Sequence, residues 1–281
     1  MMDEFVSVGD ILVARPFRDL LAASGLRSCS DFLDYPGGER ICHKRGRSVY
    51  RLEVGGKTFY LKRNRMHPVE FWKCLVRLRL PPRSAWKEWE GIRAIREAGV
   101  PTVTPVAFGE RLFLGRELAS FTLTEEIYGA EPFDEYIARE WSDASKGEKR
   151  LEKRRLLQKL ALLARRFHDR GMNHQDFYLN HFFLDREETF YLLDLQRVEH
   201  REKTPRRYLV KDLGQLAYSS LRFPSLSRTD KMFFFLHYRG TKKLAVADRH
   251  LVREIMAKTT RIARHDARLR VRRIRRGELQ P

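Results

Sequence analysis

A chain of 281 residues with 42% hydrophobic and 11% aromatic content buries a substantial core and is neither disordered nor fibrous. Its three cysteines, Cys29, Cys42 and Cys74, are too few and too irregularly spaced for a disulfide framework, and no CxxC pair suggests zinc, so a reducing compartment is expected. The net charge of +19 is concentrated: residues 239–281 hold 14 Lys/Arg against 4 Asp/Glu, and residues 62–83 hold 7 against 1. Two basic patches on a near-neutral body imply an anionic partner, whether nucleic acid, an anionic lipid surface or a phosphorylated glycan. The opening MMDEFVSVGD carries acids where a signal peptide needs basic residues, and no apolar run approaches 18 residues. A cytoplasmic protein that does not span a membrane is expected.

In chain order, residues 40–62 alternate as strands, with VGGK at 54–57 as the hairpin turn. Residues 63–83 form a basic insert, in which Phe71, Trp72 and Leu75 interleave with Lys73, Arg77 and Arg79. SAWKEWEGIRAIREAGV predicts a helix with Trp86, Ile92 and Ile95 on one face and Gly99 as its stop. PTVTPVAFGERLFLGRELASFTLTEEI reads as strands separated by Gly109 and Gly115. After Gly129 the character changes. Leu156, Leu160, Leu163 and Phe167 fall at i, i+4, i+7 and i+11, an amphipathic helix that ends near Gly171. Near the C-terminus Leu251, Ile255 and Ile262 share a helical face, and arginines crowd the end. The expected organisation is a strand-rich lobe over residues 1–125 and a helix-rich lobe over 126–281, joined near 124–129.

The stretch MNHQDFYLNHFFLDREETFYLLDLQR carries the chemistry. A short loop bears His174 and Asp176, HFFL and FYLLDL form two short strands, DREE turns between them, and Asp194 leaves the second strand. Phosphoryl transfer to a hydroxyl needs one carboxylate to orient and deprotonate the acceptor and another to hold Mg²⁺ against the phosphates, with a neutral ligand from the loop. Asp176 fits the first role and Asp194 the second. Taken singly, His174 is a structural histidine, Asp194 a turn residue and an isolated lysine a surface group. In this order and on these elements they reinforce one another.

The stretch resembles the protein-kinase catalytic loop and metal-binding aspartate, H-R-D-x-x-x-x-N followed by D-F-G. His174, Gln175 and Asp176 stand for H-R-D, and Asp194, Leu195 and Gln196 for D-F-G. His181 occupies the asparagine register and Asn180 sits one residue early; His181 is preferred by register as the loop ligand, with Asn180 as the alternative. Gln175 removes the arginine that pairs with a phosphorylated activation loop, so that form of regulation is not expected. Tyr178 replaces the usual lysine, which argues against an ordinary protein substrate. The resemblance implies ATP, a strand lysine on its phosphates and a helix glutamate holding that lysine. Lys62 and Glu88 take these places, with Glu90 as the alternate glutamate. Asp212, placed at the head of a helix, corresponds to the structural aspartate beneath the loop. No G-x-G-x-x-G is present; KRGRSVYR around Gly46 is the nearest phosphate-covering loop.

NHQDFYLNHFFL, LLDLQRV, TPRRYLVKDLGQLAYSS and GVPTVTPVAFGER together resemble the bacterial lipopolysaccharide core kinases, the Kdo/heptose kinase family, and among them the inner-core heptose kinases. The resemblance spans roughly residues 40–235. It implies an α+β, bilobal protein-kinase-like fold, ATP and Mg²⁺, and transfer of the γ-phosphate to a sugar hydroxyl, that of a heptose by the resemblance to the inner-core heptose kinases. The partners it implies are the lipopolysaccharide core or its lipid-linked precursor and the anionic cytoplasmic face of the inner membrane. A kinase of a soluble small molecule, aminoglycoside- or choline-kinase-like, would leave the basic patches unexplained. A nucleic-acid-binding protein would leave Lys62, Asp176 and Asp194 unexplained, so no nucleic acid is expected.

Overall fold

The computed structural model describes residues 4–44, 46–66, 84–141 and 147–278. The chain divides into two compact units: a sheet unit of Met1–Glu97, Thr102–Tyr128 and Asp194–Arg197, and a helical unit of Ala98–Pro101, Gly129–Leu193 and Val198–Pro281. The amphipathic segment of the basic insert, with Cys74, lies outside the described residues.

The sheet unit begins with two short strands, β1 (Phe5–Val8) and β2 (Ile11–Ala14), and two short helices, α1 (Arg18–Ala23) and α2 (Cys29–Asp34). The expected strand region at 40–62 forms three strands, β3 (Glu39–Lys44), β4 (Arg47–Val54) and β5 (Lys57–Arg65). The extra turn is at Gly46, whose φ of +78° suits glycine. Gly55 and Gly56, at φ +57° and +75°, make the 54–57 turn with two left-handed residues, as a tight type I′ hairpin requires. Helix α3 (Ser84–Glu97) follows, then β6 (Pro105–Phe113) and β7 (Arg116–Glu125). The seven strands pair in the order β1-β2-β6-β7-β5-β4-β3, every pair antiparallel.

Two sequence expectations change here. Gly109 does not separate strands; it lies inside β6, between Ile11 and Phe121 on the neighbouring strands. A Cβ there would stand 2.6 Å from the Phe121 ring and 3.0 Å from Ile11, so the position excludes a side chain because the core closes over it. The buried face of α3 is Ala85, Trp89, Ile92 and Ile95, with Trp86 half-buried at its edge. Trp89 packs edge-on to Phe5 at 5.0 Å and against Phe108 at 5.5 Å, which makes it the anchor of the helix.

The helical unit contains β8 (Glu131–Pro132), α4 (Phe133–Glu140), α5 (Gly147–Asp169), β9 (Met172–Asn173), β10 (Phe182–Leu184), β11 (Phe190–Leu192), β12 (Glu199–His200), α6 (Arg206–Ser219), α7 (Arg228–Arg239) and α8 (Val246–Arg275). Leu156, Leu160 and Phe167 are buried on α5 together with Leu157, Ala161 and Ala164, a wider stripe than the predicted one. The helix stops at Gly171, where φ is +77° and a Cβ would meet the Arg201 carbonyl oxygen. Lys153 of α5 is buried against Asp230, 2.9 Å away, and Asp230 also caps α7 through Ser227. On α8 the last buried residue is Thr259, Ile262 is half-buried, and no residue from Arg261 to Glu278 is buried. No helix among the described residues is long and apolar enough to cross a membrane.

Candidate active site

In the sheet unit, β5 alternates so that Leu61 enters the core and Lys62 faces the other way. Lys62 Nζ lies 2.7 Å from the Glu88 carboxylate and both side chains are buried, an arrangement that a charge pair tolerates only because each neutralises the other. Glu90, the alternate, is exposed. Lys62 Nζ also lies 3.8 Å from Asp194 Oδ1. Asp194 adopts φ +57°, a left-handed conformation that an aspartate tolerates, and its side chain is 38% exposed. The segment that follows packs on α3: Leu195 is buried, and its carbonyl oxygen would stand 2.8 Å from a Cβ at Gly91. Two residues join this group: Gln196, from the D-F-G register, and Arg47, from the KRGRSVYR stretch around Gly46. Arg47 Nη1 donates to Gln196 Oε1 at 3.2 Å, and Gln196 Nε2 donates to Glu88 Oε2 at 3.3 Å.

In the helical unit, residues 174–181 form a loop between β9 and β10. His174 is fully buried. Its Nε2 faces the Leu193 carbonyl oxygen at 3.0 Å, so Nε2 carries the proton, and its Nδ1 accepts from the Asp176 backbone N–H at 3.3 Å. Gln175 takes φ +68° and its side chain accepts from Lys211 Nζ at 3.3 Å. The backbone of half-buried Asp176 is held from both sides, because its carbonyl accepts from Tyr178 N at 2.9 Å and from His181 Nδ1 at 2.7 Å. A carbonyl can only accept, so Nδ1 of His181 carries a proton. Asn180 is exposed.

Beneath the loop lies Asp212, with no exposed surface. Its carboxylate accepts from His174 N at 2.7 Å, Gln175 N at 2.9 Å and His168 Nε2 at 3.4 Å. His168 Nδ1 in turn faces the Tyr238 hydroxyl at 2.9 Å, whose pKa is pushed up first by burial and next by the charge of Asp169, so the hydroxyl stays a donor. Asp212 is not at the head of its helix as the sequence reading placed it. Pro205 sets the start at Arg206, and the acid lies in the second turn, where the helix passes under the loop. Gln215 and Ser219 continue the same face: Gln215 accepts from Phe177 N at 3.1 Å and donates to Gln175 O at 2.7 Å, and Ser219 Oγ accepts from Leu179 N at 3.1 Å. Their spacing from Asp212, i+3 and i+7, was the signal available in the sequence.

Residues 32–238 match the lipopolysaccharide kinase (Kdo/WaaP) family. A lipopolysaccharide core heptose(I) kinase WaaP of Escherichia coli is 31% identical over 80% of this chain and 87% of its own length. The protein of the same description from Pseudomonas aeruginosa is 35% identical over 69% of this chain and 74% of its own. A solved structure described as WaaP in complex with acyl carrier protein matches with a TM-score of 0.69 at 28% identity, covering 92% of this chain and 98% of that one. The α+β, protein-kinase-like class, with a strand-rich N-terminal sheet and a helical C-terminal region, is the observed one. The chain belongs to the lipopolysaccharide kinase (Kdo/WaaP) family.

Proposed function

We propose that this chain is an ATP-dependent kinase that transfers the γ-phosphate to a heptose hydroxyl of the lipopolysaccharide inner core. The observation that carries the reading is the Lys62–Glu88 pair at 2.7 Å with Asp194 at 3.8 Å, in a chain whose curated relatives are named heptose(I) kinases. Lys62, aimed by Glu88, contacts the nucleotide phosphates. Asp176 orients the acceptor hydroxyl and takes its proton as the new oxygen–phosphorus bond forms and the bond to the departing ADP oxygen breaks. Asp194 offers the carboxylate oxygens that suit Mg²⁺, and His181 is the candidate from the loop. When bound, Mg²⁺ neutralises charge on the transferring phosphate.

The test is phosphate incorporation from Mg-ATP into unphosphorylated lipopolysaccharide core, read by mass spectrometry of the oligosaccharide. One added phosphate on heptose supports the reading. Transfer to a free aminoglycoside with none to lipopolysaccharide would promote a soluble small-molecule kinase. The exposed arginines at the end of α8 support a peripheral position on the anionic cytoplasmic face of the inner membrane.

A second reading concerns a partner. The helical unit holds an apolar, partly open pocket of about 360 Å³ among α5, α6, α7 and α8, lined among others by Leu157, Leu160, Leu213, Leu216 and Phe235. Such a pocket suits an acyl chain, and the solved neighbour is described as a complex with acyl carrier protein. Recovery of an acylated carrier with the purified chain, detected by intact mass, would support that partner.

A further inference from the structure

Five side chains of the sheet unit close a ring: Lys62 to Glu88, Glu88 to Gln196, Gln196 to Arg47, Arg47 to Asp194, and Asp194 back to Lys62. The links are unequal. Lys62 and Glu88 are 2.7 Å apart and buried, whereas Arg47 Nη2 stands 3.8 Å from Asp194 Oδ1 with side chains 36% and 38% exposed. An ion pair that long and that wet is weak, so it yields readily to a better anion. A phosphate is a better anion for a guanidinium, because its oxygens accept two parallel N–H bonds.

Arg47 also occupies the right element. It opens β4 directly after the turn at Gly46, in the hairpin that precedes the lysine strand, and it pairs across the sheet with Asn64, two residues beyond Lys62. In protein kinases a glycine-rich loop there covers the phosphates with backbone amides. This chain has one glycine in that turn, Gly46, whose carbonyl ties the turn to β5 by accepting from Arg65 N at 2.8 Å. The amide of Gln196, at the glycine position of the D-F-G register, fixes Nη1 of Arg47 on one side and Glu88 on the other. That leaves the guanidinium edge facing Asp194, where the kinase reading puts the phosphates and metal.

We propose that Arg47 is a second ligand of the nucleotide's terminal phosphates, replacing the backbone amides of a glycine-rich loop, and that Gln196 is the positioning residue that aims it. The inference rests on the kinase reading of the same residues. The test uses the full-length protein and compares Arg47→Met, Arg47→Lys and Gln196→Leu with the unmodified chain, measuring ATP and adenosine affinity and transfer to lipopolysaccharide core. Arg47→Met should weaken ATP binding about 10- to 100-fold and leave adenosine binding and the melting temperature nearly unchanged, since the charged hydrogen bonds to phosphate are lost and, besides them, only part-exposed contacts to Gln196 and Asp194. Arg47→Lys, which keeps the charge without the fork, should fall between, and Gln196→Leu should show the same selective loss at smaller size. Equal ATP affinity in Arg47→Met and the unmodified chain overturns the proposal while core phosphorylation by that chain keeps the kinase reading. Parallel loss of ATP and adenosine binding overturns it too, because that is the mark of a structural role. An unmodified chain that neither binds ATP nor phosphorylates core overturns both.

Discussion

Asp194 and Asp212 are the same side chain used in opposite ways. Asp194, in the sheet unit, is 38% exposed and meets its cations, Lys62 and Arg47, only at 3.8 Å. Asp212, in the helical unit, has no exposed surface and accepts two backbone N–H groups and an imidazole within 3.4 Å. The first meets these two cations at the long end of an ion pair and partly in solvent, so those pairings can exchange. The second is saturated, and its partners are the backbone of the loop that carries Asp176. In the sheet unit the outer members of the candidate site can therefore change without touching the fold, while in the helical unit the loop's shape and the core are one structure.

The largest expected effect separates the acid–base group from its support. In Asp176→Asn the backbone contacts of the loop at Tyr178 and His181 remain, because both use the carbonyl of residue 176. Turnover should fall about 10²- to 10⁴-fold, the usual worth of a positioned base, with melting temperature and ATP affinity close to those of the parent. Steady-state transfer to core with thermal unfolding on the same samples checks it. Full activity would remove Asp176 from the chemistry.

A matched pair of substitutions addresses the contrast itself. Asp212→Asn should destabilise the protein by roughly 2–5 kcal/mol, because an amide places a donor where three donors already point. Asp194→Asn should change stability by less than about 1 kcal/mol, since exposed pairs contribute little, yet should abolish the Mg²⁺-dependent part of nucleotide binding. Denaturant titration of both variants distinguishes them. Equal stability losses would mean that the two carboxylates are held alike and that the exposure difference carries no energy.

What the sequence made legible follows from how local each signal is. Asp176, Asp194 and the two strands and turn between them lie within 19 residues and show in spacing and pattern. Lys62 lies in an alternating strand, which runs on to Arg65 past the expected end at 62, and Glu88 lies on a helix with a clear apolar face, so both could be placed on elements before their 2.7 Å contact was known. The contact between Arg47 and Gln196 could not be placed. Each lies in a stretch marked by its pattern, KRGRSVYR and the D-F-G register, but their bond spans 149 positions and shows only when the chain is folded. Gly109 misled for a related reason. In one dimension a strand glycine reads as a break, and only the pairing with Phe121 shows that the missing side chain makes room for a ring. Strands β1 and β2, four residues each, were too short for alternation to register.

The smallest expected effect on the fold is at the end of α8. Leu251, Ile255 and Thr259 are buried, and beyond them Asp266 is tied to Tyr218 of α6 at 2.7 Å. Arg261, Arg264, Arg268, Arg272 and Arg275 follow at i, i+3, i+7, i+11 and i+14, one exposed helical face of like charge. Like charges so close repel, so a stripe of this kind does not stabilise the helix; an anionic surface would relieve it. Among the described residues, neutralising Arg272, Arg273, Arg275 and Arg276 together removes one exposed ion pair, Arg276 with Glu278 at 3.9 Å, and should leave the melting temperature nearly unchanged. Binding to anionic vesicles should weaken by up to about 1 kcal/mol per residue at low salt, and the difference should shrink as ionic strength shortens the Debye length. Vesicle sedimentation across a salt series reads both. Equal binding of variant and parent at low salt would return these arginines to the solvent and leave the loop of Asp176 and the ring of Asp194 untouched.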